Sequence, residues 1–202
     1  MTQDALFAQL KHPNPHLRDR AMLEIFETRD ETTVPHLMRA LDDEDVVYRR
    51  AAVKALGMIG FDAVDPLVEA LTKSENVTVR GSAAKALAQI ALNYPEEPFP
   101  VEGLAGLRTG LQDDNPVVHI GSAMALGEIG EPALDILIES LQATDNIGLA
   151  VSIVNALASV GDRRSGEVLA ALIEDESADA YVRETATSAL SRIEFVRNNQ
   201  PK

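Results

Sequence analysis

Apolar residues recur along this chain at i, i+4, i+7, i+8 and i+11, in windows that return about every thirty residues. Val79, Ala83, Ala86, Leu87 and Ile90 form one such stripe, and Val182, Ala186, Ala189, Leu190 and Ile193 another. This spacing covers one face of an α-helix and differs from the alternation of a half-buried strand. The clearest copies of the window are Tyr48 to Gly60 and Val118 to Gly130, with further versions at Val79 to Ile90, Leu149 to Gly161 and Val182 to Ile193. Leu17 to Thr28 is a degenerate first copy. Aligned on one another, the copies carry Asn or Asp at a fixed offset ahead of the stripe: Asn14, Asp45, Asn76, Asn115, Asn146 and Asp179. These side chains accept hydrogen bonds from the free N–H groups of a helix start, so the pattern predicts six helix N-caps in register. Pro15 and Pro116 follow two of the caps, at the first helical position where proline is tolerated.

A second helix is expected before each capped one, ending near Leu10, Leu41, Leu71, Leu111, Leu141 and Leu172. Gly57, Gly60, Gly127, Gly130 and Gly161 stand where the capped helices are expected to stop. A lone helix pair cannot bury its apolar faces, so neighbouring pairs must stack around a shared core. The expectation is a single array over residues 1–196, with repeats near 2–28, 32–60, 62–92, 100–130, 132–161 and 163–194. The extra residues Asn93 to Pro100 are a proline-rich loop between repeats three and four, and residues 197–202 are expected to fray.

Composition narrows the function classes. Alanine and leucine dominate and tryptophan is absent, which suits close helix packing. A formal net charge of −14 repels phosphate backbones and argues against a nucleic-acid partner, including the DNA-glycosylase use of stacked helix pairs. With no cysteine there is no disulfide, zinc–thiolate site or thiol nucleophile. No basic-then-apolar leader opens the chain and no stretch approaches a membrane span, so a cytoplasmic protein without membrane insertion is expected.

The run Arg49-Arg50-Ala51-Ala52-Val53-Lys54-Ala55-Leu56-Gly57-Met58-Ile59-Gly60, followed by Pro66 to Leu71, closely resembles the HEAT-like repeat of phycobilisome lyases. The resemblance runs along nearly the whole chain, and the length is similar to that of the E/F-type phycocyanobilin lyase subunits. It implies a right-handed all-α solenoid of about six HEAT-like two-helix repeats and a cyanobacterial source. Its partners would be a phycobiliprotein, a lyase partner subunit or a cofactor-assembly protein. The group also includes a HEAT protein of phycobilisome degradation and one that binds the A-type iron–sulfur scaffold. The first expectation is a non-enzymatic protein-binding scaffold or chaperone-like adaptor in phycobiliprotein or cofactor assembly, with a bilin lyase subunit acting in a complex and an adaptor of such an iron–sulfur scaffold as alternatives. No cofactor is expected on the isolated chain, with transient contact to phycocyanobilin as the exception the resemblance admits.

Chemistry is sparse. None of His12, His16, His36 and His119 precedes a glutamate, so the His-Glu pairs of HEAT-type di-iron hydroxylases are missing. His12 and His16 flank Pro13-Asn14-Pro15 and read as turn residues rather than metal ligands. No catalytic residue and no metal site is assigned, and no phosphate loop or Ser/His/Asp signature is present. Arg18, Arg49, Arg80 and Arg183 share one slot, which His119 fills in repeat four. They are expected to serve packing and to bond acidic groups of the adjacent turn, with Asp43 as the partner of Arg49. The following row should line the concave face. It presents Arg50, Lys54 and Lys85 in repeats two and three, then Ile120, Met124 and Val151 in repeats four and five. Singly, such residues solubilise a helix or pack under a neighbour. Together they form a cationic and an apolar patch, which a protein partner or an open-chain tetrapyrrole with two propionates requires. Tyr94 and Phe99, on the stiff loop 93–100, present two alternatives: a recognition loop, or an insertion that covers the groove between repeats.

Overall fold

The computed structural model describes residues 2–199. Twelve α-helices follow one another among them. They are α1 (Gln3–Gln9), α2 (Pro15–Glu27), α3 (Thr33–Ala40), α4 (Val46–Ile59), α5 (Val64–Lys73) and α6 (Val77–Asn93). Then come α7 (Val101–Gly110), α8 (Pro116–Ile129), α9 (Leu134–Ala143), α10 (Ile147–Val160), α11 (Arg163–Glu174) and α12 (Ala180–Asn198). The fold is all-α, six two-helix repeats, each pairing a shorter first helix with a capped second one. Contacts divide the chain inside α7, between Gly106 and Leu107, into two compact units. In the first unit α4 packs between α2 and α6; in the second α10 packs between α8 and α12. Helix α12 runs through Asn198, so Arg197 and Asn198 are helical where a frayed tail was expected; residues 200–202 lie outside the described ones.

All six expected caps form. Asn14, Asp45, Asn76, Asn115, Asn146 and Asp179 each accept a hydrogen bond from a backbone N–H of the following first turn. A second bond fixes the cap itself. The side chain two residues earlier accepts from the cap N–H in five repeats: His12 Nδ1, Asp43 Oδ1, Ser74 Oγ, Asp113 Oδ1 and Thr144 Oγ1. His12 is thereby a structural acceptor. The apolar stripes face inward as the spacing requires: Ala83, Ala86, Leu87 and Ile90 in α6, and Ala186, Ala189 and Ile193 in α12, are buried.

The glycines divide into two kinds. Gly60, Gly130 and Gly161 end α4, α8 and α10 with positive φ, as helix-stop positions do. Gly57 and Gly127 do not stop anything; they lie inside their helices and are contact points. A Cβ on Gly57 would come within 2.3 Å of Gln89 Cβ on α6, and one on Gly127 within 3.0 Å of Ala156 Cα on α10. Gly57→Ala should therefore destabilise the protein. The helix-propensity gain of about 1 kcal/mol is outweighed by an overpacking cost of roughly 1–3 kcal/mol. Thermal unfolding followed by circular dichroism checks this, and an unchanged or higher Tm would remove the close-approach reading.

Candidate functional site

The arginine row serves the turns. Arg49 Nη1 donates to the carbonyl oxygens of Asp43 at 2.5 Å and Glu44 at 3.1 Å, and Arg18 does the same to His12 at 2.6 Å and Pro13 at 2.9 Å. Its expected acidic partner was the wrong part of the right residue. The Asp43 carboxylate instead takes the Asp45 N–H and Lys11 Nζ, the latter at 3.0 Å. These two donors hold Asp43 below the usual carboxylate range, the backbone bond first. His119 fills the slot in repeat four and is 4% exposed.

The next row splits between the units. Arg50 and Lys54 are exposed one turn apart on α4, and Lys85 is exposed on α6, which packs against α4. Ile120 and Met124 belong to the second unit, 40% and 61% exposed on α8. They line a groove of about 310 Å³ whose opposite wall is α10. Val151 is half-buried and does not line that groove; Ser152, Asn155 and Ser159 do, one residue and more further along α10. The missed residues are polar and carry no signal alone, but they follow at helical spacing from the same face. Asn155 is held from both sides, donating to the Val151 carbonyl and accepting from Arg192 Nη2 at 2.8 Å. The groove thus has an apolar side that is not covered and a polar side whose groups are pre-oriented.

The aromatic residues of the 93–100 loop turn inward. Tyr94 donates its hydroxyl to the Met58 carbonyl at 2.6 Å, and its ring lies over Gly60, where a Cβ would meet it at 2.8 Å. Phe99 is 9% exposed, and Phe61 contacts both rings, at 5.5 Å from Tyr94 and 6.1 Å from Phe99. Both rings are thus engaged with Phe61 and the end of α4 and serve as packing groups of the insertion.

A further cluster joins α1, α3 and α4. Phe7 stacks on His36 at 3.7 Å with 9° between the rings, and His36 Nε2 lies 3.3 Å from the Tyr48 hydroxyl. Lys11 Nζ sits 4.5 Å over the Tyr48 ring. Among the described residues no group of three or more His, Asp or Glu is arranged to hold a metal ion. No helix among them is long and apolar enough to cross a membrane.

Comparison with known proteins assigns the architecture. The family model described as HEAT repeats matches residues 3–88 and 64–150. The chain belongs to the HEAT-repeat family. Within it, the chain is 57% identical over 196 residues to the phycocyanin operon protein Z of Pseudanabaena tenuis, covering 97% of each. It is 30% identical over 185 residues to the bilin biosynthesis protein CpeZ of a Synechococcus species, covering 89% of this chain and 99% of that one. Both relatives are cyanobacterial, so this is a HEAT protein of the phycobiliprotein-related group. A chain from the solved complex of CpcE and CpcF of phycocyanin lyase from Nostoc sp. shares its fold. That match has a TM-score of 0.52 and 22% identity, over 76% of this HEAT protein and 96% of the other.

Burial lowers the affinity of His36 for a proton, with Arg39 acting in the same direction and Asp4 against it. Folded His36 thus resists a proton that the unfolded chain accepts near its ordinary value of about 6.5. Stability should be unaffected by His36 above that value and should fall as pH drops from about 7 toward 5. His36→Gln is expected to flatten this part of a denaturant-midpoint profile, and an unchanged slope would contradict the assignment.

Proposed function

We propose that this HEAT protein is a non-enzymatic, protein-binding adaptor in phycobiliprotein assembly, acting where a bilin is attached to its apo-protein. The observation that carries the reading is full-length kinship with a protein named for bilin biosynthesis and with a phycocyanin operon protein. The geometry supports it in a specific place. Met124 and Ile120 stand uncovered on α8 beside the oriented amide of Asn155, an arrangement of apolar anchor and polar rim that suits a protein surface. The acidic charge directs it toward a neutral or basic partner.

A second reading, a subunit of a bilin lyase, draws on Arg50, Lys54 and Lys85. Two exposed cations on α4 and one on the adjoining α6 are suited to the propionates of phycocyanobilin, with the chemistry performed in a complex with a second HEAT subunit.

Co-expression of an apo-phycobiliprotein, phycocyanobilin and a lyase, with and without this chain, separates the two. As an adaptor, the chain transfers no bilin alone but raises the yield of bilin-bearing protein when a lyase is present. Met124→Glu should weaken capture of the apo-protein by about tenfold, the effect of losing an anchor worth about 1–2 kcal/mol. Covalent transfer by this chain plus a second HEAT subunit, lost in the Arg50, Lys54 and Lys85 alanine variants, would establish the lyase reading instead. No capture and no change in yield in any combination would remove both.

A further inference from the structure

Repeats one to three close the turn between their helices with their own guanidinium group. Arg80, like Arg18 and Arg49, stands four residues after its N-cap and donates to two turn carbonyls, Ser74 at 3.0 Å and Glu75 at 3.2 Å. In repeat five that slot holds Ala150. The turn itself is built in the same way. Asn146 caps α10 with φ −82° and ψ 108°, against −83° and 113° for Asn76 on α6. Thr144 Oγ1 accepts from the Asn146 N–H at 3.1 Å, as Ser74 Oγ accepts from that of Asn76 at 3.2 Å. The carbonyls of Thr144 and Asp145 therefore correspond to those that receive Arg80.

Where the guanidinium would lie there is a cleft of about 520 Å³, within the second unit. Ala150, Leu141 and Leu172 contribute to its apolar lining, and Asp145, Asp175 and Asp179 to its polar lining. The leucine that ends each first helix is buried in repeats one to four, at Leu10, Leu41, Leu71 and Leu111. Its counterparts Leu141 and Leu172, which line the cleft, are only half-buried. Asp175 and Asp179 use Oδ1 for the N–H groups of Ser177 and Tyr181, so the rim is ordered as well as acidic. An open volume of this size is within the usual range of about 300–1,000 Å³ for ligand pockets.

We propose that this cleft receives an arginine side chain presented by a partner protein. The incoming guanidinium occupies the position that repeats one to three fill from their own α-helix, donating to the carbonyls of Thr144 and Asp145. Its alkyl stem covers Leu141 and Leu172, and Asp145 and Asp179 balance its charge, Asp175 on the same rim already interacting with Arg183 of repeat six. In Arg49 and Arg80 a single Nη1 bonds both carbonyls with its two N–H groups. Arginine is preferred over lysine because a guanidinium is more weakly hydrated than an ammonium and gives up less on entering a cleft with apolar walls. The inference stands apart from the assembly role and adds a requirement to any partner: an exposed arginine.

Two measurements on the full chain test it. First, Ala150→Arg restores the slot and should raise Tm above both wild type and Ala150→Leu, which fills the space without donors. A Tm for Ala150→Arg at or below that of Ala150→Leu would show that the carbonyl pair does not take a guanidinium, and would overturn the proposal. Second, NMR titration of the wild type with Nα-acetyl-arginine amide should give saturable shifts at the amides of Asp145, Ala150 and Leu172. The lysine analogue should bind at least about tenfold more weakly, and both substitutions should abolish the response. Shifts that are absent, equal for lysine, or retained in Ala150→Arg count against the cleft. None of these experiments contains a phycobiliprotein, so their failure leaves the assembly role standing, and the failure of that role leaves the cleft.

Discussion

A turn between two antiparallel helices leaves backbone groups on both sides without helical partners, and each repeat must satisfy them within a few residues. Here the Asn or Asp cap supplies an acceptor to the incoming second helix, and a side chain two positions earlier fixes the cap in an extended conformation. The arginine four positions later ties two turn carbonyls to that helix. In repeats one to three, with both ends of the turn bonded, the angle between first and second helix is set locally, and the apolar stripes of α2, α4 and α6 are directed into the core of their unit. Caps of this kind contribute about 1 kcal/mol each, so six of them matter in a protein whose net stability is marginal.

This arrangement also decides where function can reside. The arginines, the caps and the loop aromatics are committed to the fold, as Arg49, Asp45 and Tyr94 show by their bonds to the backbone. The outward side of the second helices, and any place where the repeat pattern is not completed, carries no such commitment. The groove beside Met124 is the first kind and the cleft at Ala150 is the second. Both lie in the second unit, whereas Arg50, Lys54 and Lys85 lie in the first.

Much of the fold was legible because its determinants are local. A helical stripe and an Asn or Asp cap are written within a single window, and all six caps form as read. Features that depend on a neighbour were less accessible. Gly57 and Gly127 look like helix stops until Gln89 and Ala156 are placed against them. Asp43 is near Arg49 in the chain, but the arginine takes its carbonyl, as Arg18 and Arg80 take those of His12 and Ser74, and the carboxylate goes to the Asp45 N–H and to Lys11 from another repeat. Tyr94 and Phe99 sit in a proline-rich insertion that resembles a display loop, and only Phe61 reveals that the rings point inward. Ile120 and Met124 are exposed on α8 as the helical spacing required, but the row drifted on α10, where Val151 is half-buried and Ser152 and Asn155 take the groove wall. Ala150 gave no signal as a residue; its meaning comes from the arginines it does not match.

The proposed adaptor role places a partner protein on the second-helix face of the C-terminal unit. Hydrogen–deuterium exchange of the chain, alone and with an apo-phycobiliprotein, addresses it most directly. Exchange should slow on α8 and α10 around Met124 and Asn155, with the caps of α2 and α4 unchanged. Protection absent from α8 and α10 while the partner is demonstrably bound would contradict it.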